Sequence, residues 1–290
     1  MATERSRNSF HESYLDIKVS LSLLKANWQA FAKTEIFALG AFVGFIFLTF
    51  MFLFINGIFI HPGFVRPRPF RIGARIPFYI LVASILVFYA FISSTYGLSH
   101  DIILSGDQFT EFEKSFTYFK RHFFSYVFLS IIILWIPIAF ELEFHFHNFF
   151  EVIPGLRTNE LELLLDAFTI YLFQYLLFVL FNLTLPSITS KGNLILAFKE
   201  NFNILIRFPK RMIASWGIFF IIFSLPSYLF LILVILVVRF IFPSFVILGL
   251  IILIIVLSSV ILGYPIMSLI ATRIYATTKE KINFSDQENK

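Results

Sequence analysis

A chain of 290 residues that is 58% hydrophobic and only 14% charged, with a mean hydropathy of +0.85, is too apolar for an ordinary water-soluble domain, in which about a quarter of residues are charged. The absence of cysteine excludes disulfides, Cys-ligated metals and thiol nucleophiles. The formal net charge of +5 lies in the segments between apolar runs, so it reports orientation in a membrane and no nucleic-acid partner is expected.

The N-terminal segment places Tyr14, Ile17, Leu21, Leu24, Trp28 and Phe31 at i, i+3, i+7 spacing, the pattern of a helix with one apolar stripe. No cleavable signal peptide is expected, because the first apolar run starts only near Ile36 and has no small-residue cleavage site in the usual place. Six runs are free of Asp, Glu, Lys and Arg: Ile36–Ile60, Ile76–Leu98, Phe123–Phe140, Ala167–Thr189, Ile213–Val238 and Phe245–Ala271. A hydrocarbon core of about 30 Å needs about 20 helical residues, and backbone in lipid must be hydrogen-bonded internally. The predicted fold class is therefore an all-α integral membrane protein of six transmembrane helices. Gly40 and Gly44 in the first run form a G-x-x-x-G, which permits close approach of another helix, within the chain or across a dimer.

A turn signal at Gly106–Asp107 opens a second amphipathic segment, marked by Phe109, Phe112, Phe116, Phe119 and Phe123, ahead of the third run. The third such segment, Ser190–Arg211, precedes the fifth run. On a helical wheel Leu194, Ala197, Phe198, Phe202, Leu205 and Phe208 take one side, and Lys199, Asn203 and Arg207 the other. Pro209 lacks an amide proton and clashes with the preceding turn, yet suits the first turn of a new helix. One helix is thus expected to end near Arg207 and another to begin near Pro209. Lys199, Arg207, Lys210 and Arg211 are the candidate ligands for anionic lipid headgroups, since a basic amphipathic helix beside membrane spans lies most simply in the interface. Cytoplasmic interfacial helices before spans one, three and five suggest a single polytopic domain over 1–290. Its three units would be 10–100, 101–188 and 189–275, with 276–290 a flexible cytoplasmic tail.

Orientation follows from Lys and Arg. With both termini in the cytoplasm, seventeen of the 23 fall on the inner side and six on the outer. The expected location is the cytoplasmic membrane, crossed several times.

Two patterns carry candidate chemistry. Tyr171, Gln174 and Asn182, with Tyr175 and Phe178, fall broadly on one side of the fourth run. They read as a polar path for a solute or, more simply, as interhelical hydrogen bonds worth about 0.6 kcal/mol each. In the second outer loop Glu141, Glu143, His145 and His147 alternate with Leu142, Phe144 and Phe146. A strand would put all four on one face, and a helix would pair 141 with 145 and 143 with 147. Either could hold zinc, manganese or iron; the simpler reading is an interfacial stretch with its aromatics among headgroups. His11, His61, His100 and His122 stand singly near membrane boundaries. No Walker loop, G-x-S-x-G or H-E-x-x-H is present, so no catalytic residue and no cofactor is expected, an outer-face metal-dependent activity being the enzymatic alternative.

Pro186, the pair Ala197–Phe198 and Asn201, in the stretch LPSITSKGNLILAFKENFNIL after span four, carry a resemblance. With the order of spans, they resemble a prokaryotic six-transmembrane-helix family of unknown function, similar to the membrane domain attached to some glycerophosphodiester phosphodiesterases. The soluble phosphodiesterase domain has no counterpart here, so the resemblance implies the fold and not that activity. The expected function is a lipid-associated accessory, scaffold or membrane-homeostasis factor. Its partners would be the bilayer, anionic lipids included, and a protein partner or second copy. The alternative is a transporter or channel subunit for a small neutral or lipidic solute.

Overall fold

The computed structural model describes residues 2–55, 83–132, 176, 180–181, 183–221 and 263–283. The elements among them are helices, so the all-α class holds. We number them α1 (Ala2–Ile55), α2 (83–92), α3 (Thr95–Ile103), α4 (Phe112–Ser130), α5 (Thr184–Lys191), α6 (Leu194–Arg207), α7 (Pro209–Phe219) and α8 (263–283).

Helix α1 is unbroken over 54 residues, on the order of 80 Å at the usual rise. The amphipathic segment before the first apolar run is therefore collinear with that run and is no separate surface helix. No proline or glycine lies between Ala2 and Leu39, so nothing in the sequence ends the helix where the charge ends. Helix α4 behaves alike, carrying the Phe112–Phe123 stripe straight into the third run. Only at Phe208, whose next residue is Pro209, does the chain break between an amphipathic helix and the helix after it. Asn193 caps α6 by accepting from the Ile195 and Leu196 amides at 2.9 and 3.3 Å, and Gly192 ends α5 at a φ of +70°, a region costly for other residues.

Between α2 and α3 the chain turns at Ser93–Ser94. Ser93 Oγ donates to the Tyr89 carbonyl (2.8 Å) and Thr95 Oγ1 to that of Ile92 (2.7 Å), hydroxyl bonds that compete with the helical ladder and bend it. Gly97 in α3 lies against Tyr118 of α4, where a Cβ would overlap the Tyr118 ring, so the two helices approach closely only because this residue has no side chain. The loop from α3 to α4 turns at Gly106 (φ +76°) and is held from α1: Asn27 donates to the Gln108 carbonyl (3.3 Å) and accepts from the Thr110 amide (2.9 Å).

One core joins the helices. Phe31, Tyr96, Leu98, Tyr126, Ile188, Ile204, Met212, Trp216, Leu269 and Tyr275 are buried together, with α1 packed on α7 and α5 on α6. A smaller aromatic cluster stacks Phe91 against Phe37, Phe116 and Phe119 at centroid distances of 5.1 to 5.3 Å.

Several expectations change here. Of the N-terminal stripe, Ile17, Leu24 and Phe31 are buried, whereas Tyr14, Leu21 and Trp28 are exposed. The inward face carries, beside Ile17, Leu24 and Phe31, the polar residues Ser13, Asp16, Ser20, Asn27, Thr34 and Glu35. The segment expected as a flexible tail is helical through residue 283, because α8 continues and buries Ala276 and Thr278. At Gly40 and Gly44 a Cβ would meet no atom within 4 Å, so neither glycine packs against another described helix. Among the described residues no helix is long and apolar enough to cross a membrane, the unbroken run of described side chains in α1 ending at Phe45. The fourth, fifth and sixth apolar runs lie mostly outside the described residues.

Candidate functional site

Helix α6 presents three faces. Ala197, Asn201 and Ile204 turn into the protein, and Asn201 Nδ2 donates to the Leu180 carbonyl at 2.6 Å. Beside them run Ile195, Phe202 and Ile206, all exposed, and next to these Lys199, Asn203 and Arg207, also exposed. The wheel drawn from sequence put Phe202 and Ala197 together on one apolar side and did not place Asn201 or Ile204; Ala197 is buried and Phe202 exposed, with Asn201 turned inward onto the Leu180 carbonyl. Lys210 at the start of α7 is exposed too. Lys199, Arg207 and Lys210 thus share the accessible side with an apolar strip.

Arg211 does not join them. Its side chain is buried, and Nη2 donates to Asp16 Oδ2 (2.9 Å) and to Thr277 Oγ1 (2.7 Å). Arg273 Nε donates to the other oxygen of Asp16, also at 2.9 Å, so one carboxylate of α1 holds two guanidinium groups, from α7 and α8. Glu12 adds a contact to Arg211 (3.5 Å) and an ion pair to Lys281 (2.7 Å), and Ser215 Oγ donates to Ser13 Oγ at 2.8 Å. A buried charge persists only when paired and hydrogen-bonded. The role of Arg211 is to clamp helices, and its assignment to lipid headgroups is withdrawn.

A second polar cluster sits where α3, α4, α5, α6 and α8 meet. Tyr118 donates to Asp101, whose carboxylate also pairs with Lys114 at 3.3 Å. His100 and His122 flank the Tyr118 ring, at centroid distances of 6.4 and 6.3 Å, so these two do not stand singly. Glu200 Oε2 accepts from Ser187 (2.5 Å) and Tyr275 (2.9 Å), and Lys279 lies 3.7 Å from its other oxygen. Burial drives the His122 imidazole down to about 4, helped by the charges of Arg121 and His100, so it is neutral at pH 7. His100 is lowered too, mainly by burial and partly opposed by Asp101. Burial and the carboxylates beside them raise the Tyr118 and Tyr275 phenols, which stay protonated donors. Such a cluster fixes the orientation of the helices that supply it. No group of three or more His, Cys, Asp or Glu placed to hold a metal occurs among the described residues.

The other sequence candidates, Tyr171, Gln174 and Asn182 on the polar face and Glu141, Glu143, His145 and His147 in the outer loop, lie outside the described residues. Sequence reasoning missed Glu35. Defining a span as a charge-free run starts the first one at Ile36 and leaves its neighbour among the surface charges, yet Glu35 is fully buried. The placement of Thr34 and Glu35 four and eight positions beyond the inward-facing Ala30 and Asn27 was the available signal.

No protein-family model, curated protein or solved structure matches the chain.

Proposed function

We propose that the chain is an integral membrane protein of six transmembrane helices with both termini in the cytoplasm. It acts as a non-catalytic, lipid-associated accessory, scaffold or homeostasis factor of the cytoplasmic membrane. The supporting observation is the open apolar surface of α1. Its packed face mixes Ile17, Leu24 and Phe31 with Ser, Thr, Asn, Asp and Glu, while Ile36, Phe37, Val43, Phe45, Phe47, Leu48 and Met51 are exposed. Water penalises so large an open apolar surface, and lipid does not. The division of α6 into packed, apolar and basic faces adds a strip that can sit in the headgroup layer, each Lys or Arg there contributing on the order of 1 kcal/mol on anionic lipid.

The test uses the full chain purified in mild detergent from membranes, with co-purified lipid counted by native mass spectrometry. Phosphatidylglycerol retained over phosphatidylcholine by the native chain, and that preference lost in Lys199→Glu/Arg207→Glu/Lys210→Glu, is the expected result. Equal retention of both lipids would remove the lipid-associated part of the reading.

The second reading, a transporter or channel subunit for a small neutral or lipidic solute, is favoured by one observation: a carboxyl, Glu35, buried among helices without a hydrogen-bonding partner.

A further inference from the structure

The carboxyl of Glu35 is the one acidic group among the described residues that is both fully buried and without any hydrogen bond on either oxygen. It lies on the packed face of α1, one turn beyond Phe31 and just ahead of Ala38, so core residues enclose it along its own helix. Ala38, the next inward residue of α1, is buried with Phe91 and Ile92 of α2, and Tyr264 of α8 packs against the same cluster. Tyr264 is bonded to Ser93 at the turn between α2 and α3 (3.3 Å), and Phe37 packs on Phe91 at a centroid distance of 5.3 Å. Burial is the sole influence acting on its proton, with no Lys, Arg or His among the described residues offsetting a charge there. Among the described residues the other enclosed carboxylates are paired: Asp16 with two arginines, Asp101 with Tyr118 and Lys114, and the half-buried Glu200 with Ser187, Tyr275 and Lys279.

We propose that Glu35 is a proton-binding site at the head of the first apolar run, one helical turn before the cluster that Ala38 forms with Phe91, Ile92 and Tyr264, whose loading with a proton keeps α1 packed against α2 and α8. An isolated carboxylate in a dry interior costs several kcal/mol, which the molecule avoids by holding the acid neutral. Releasing the proton to water leaves one negative charge where no donor or cation compensates it, so the packing must loosen or admit water. Residues of this kind beside membrane spans are where proton-coupled and proton-gated proteins store their exchangeable proton. The site would supply the transporter or channel reading with its coupling group. The placement itself rests on described helix packing alone and does not depend on the lipid reading.

The sign of the linked stability follows from burial. Burial raises the folded-state pKa of Glu35 well above its ordinary value of 4.5, so the folded state keeps a proton that the unfolded chain gives up. That contribution is fully present below the unfolded pKa and is lost as pH rises through the folded one. Glu35→Gln, a permanent mimic of the protonated acid, should match the native chain at acidic pH and melt progressively higher than it as pH is raised through neutral to alkaline. A difference independent of pH overturns the proposal. A second measurement needs no variant: infrared spectra of the native full chain carrying 13C-labelled glutamate. A protonated carboxyl stretch that persists at neutral pH and shifts with the label is expected, and its absence overturns the proposal even if Glu35→Gln fails to fold. Failure of anionic-lipid retention would leave both results standing, so the two readings fail separately.

Discussion

His122 shows how a single buried side chain sets a pH response. Its ring packs between Tyr118 and Tyr126, and burial holds it neutral to about pH 4, against 6.5 in the unfolded chain. The unfolded state therefore binds a proton first as pH falls, and stability drops between roughly pH 6.5 and pH 4 while staying flat above that window. Replacing the imidazole by the non-titrating ring of Phe should shrink the loss of melting temperature between about pH 7 and about pH 4.5, read by differential scanning fluorimetry. An unchanged loss would mean that the imidazole is already accessible to water. This acid-side loss is opposite in direction to the loss expected from Glu35 at higher pH, so the two groups are separable by the side on which stability falls. The sequence reading set His122 singly near a membrane boundary; its neighbours lie one turn back, at Tyr118, and on another helix, where His100 meets the same tyrosine, and only packing brings them together.

At the scale of elements, Asp16 ties α1 to α7 and α8 through Arg211 and Arg273. Asp16→Ala leaves Arg211 buried without its counter-charge, and such a removal costs about 3–5 kcal/mol. The expected outcome is a clearly lower unfolding midpoint in detergent, with Asp16→Leu/Arg211→Met losing less than either single change. Additive losses would show that the pair is not coupled. The start and end of α6 were legible, because Asn193 caps, Gly192 takes a positive φ and Pro209 cannot continue a helix, and each of these acts within a few residues. Which part of its apolar side packs inward was not, because the hydrogen bond from Asn201 to Leu180 and the burial of Ala197 and Ile204 come from residues distant in sequence. Apolar spacing likewise could not show that Ser13, Asp16, Ser20, Asn27, Thr34 and Glu35 of α1 are buried beside Ile17, Leu24 and Phe31.

For the molecule as a whole, the absence of native cysteine makes topology directly measurable. Single cysteines placed at Asn148, Ser190 and Ser285 report both sides of the membrane to an impermeant maleimide. With both termini inside, Asn148→Cys is labelled in intact cells, while Ser190→Cys and Ser285→Cys react only after permeabilisation. Labelling of all three in intact cells would contradict the six-span arrangement. By itself the sequence determined the apolar excess, the helical class, the turn at Gly106 and the break at Pro209, because composition and local sterics act over a few residues. Tertiary structure alone decided which polar groups meet. Asp16 finds Arg211 and Arg273 across 195 and 257 positions, and Glu35 is buried without a partner one turn before the cluster that α1 forms with α2 and α8. A lone carboxylate and a paired one look alike in a sequence; their energies diverge only once packing has removed the water.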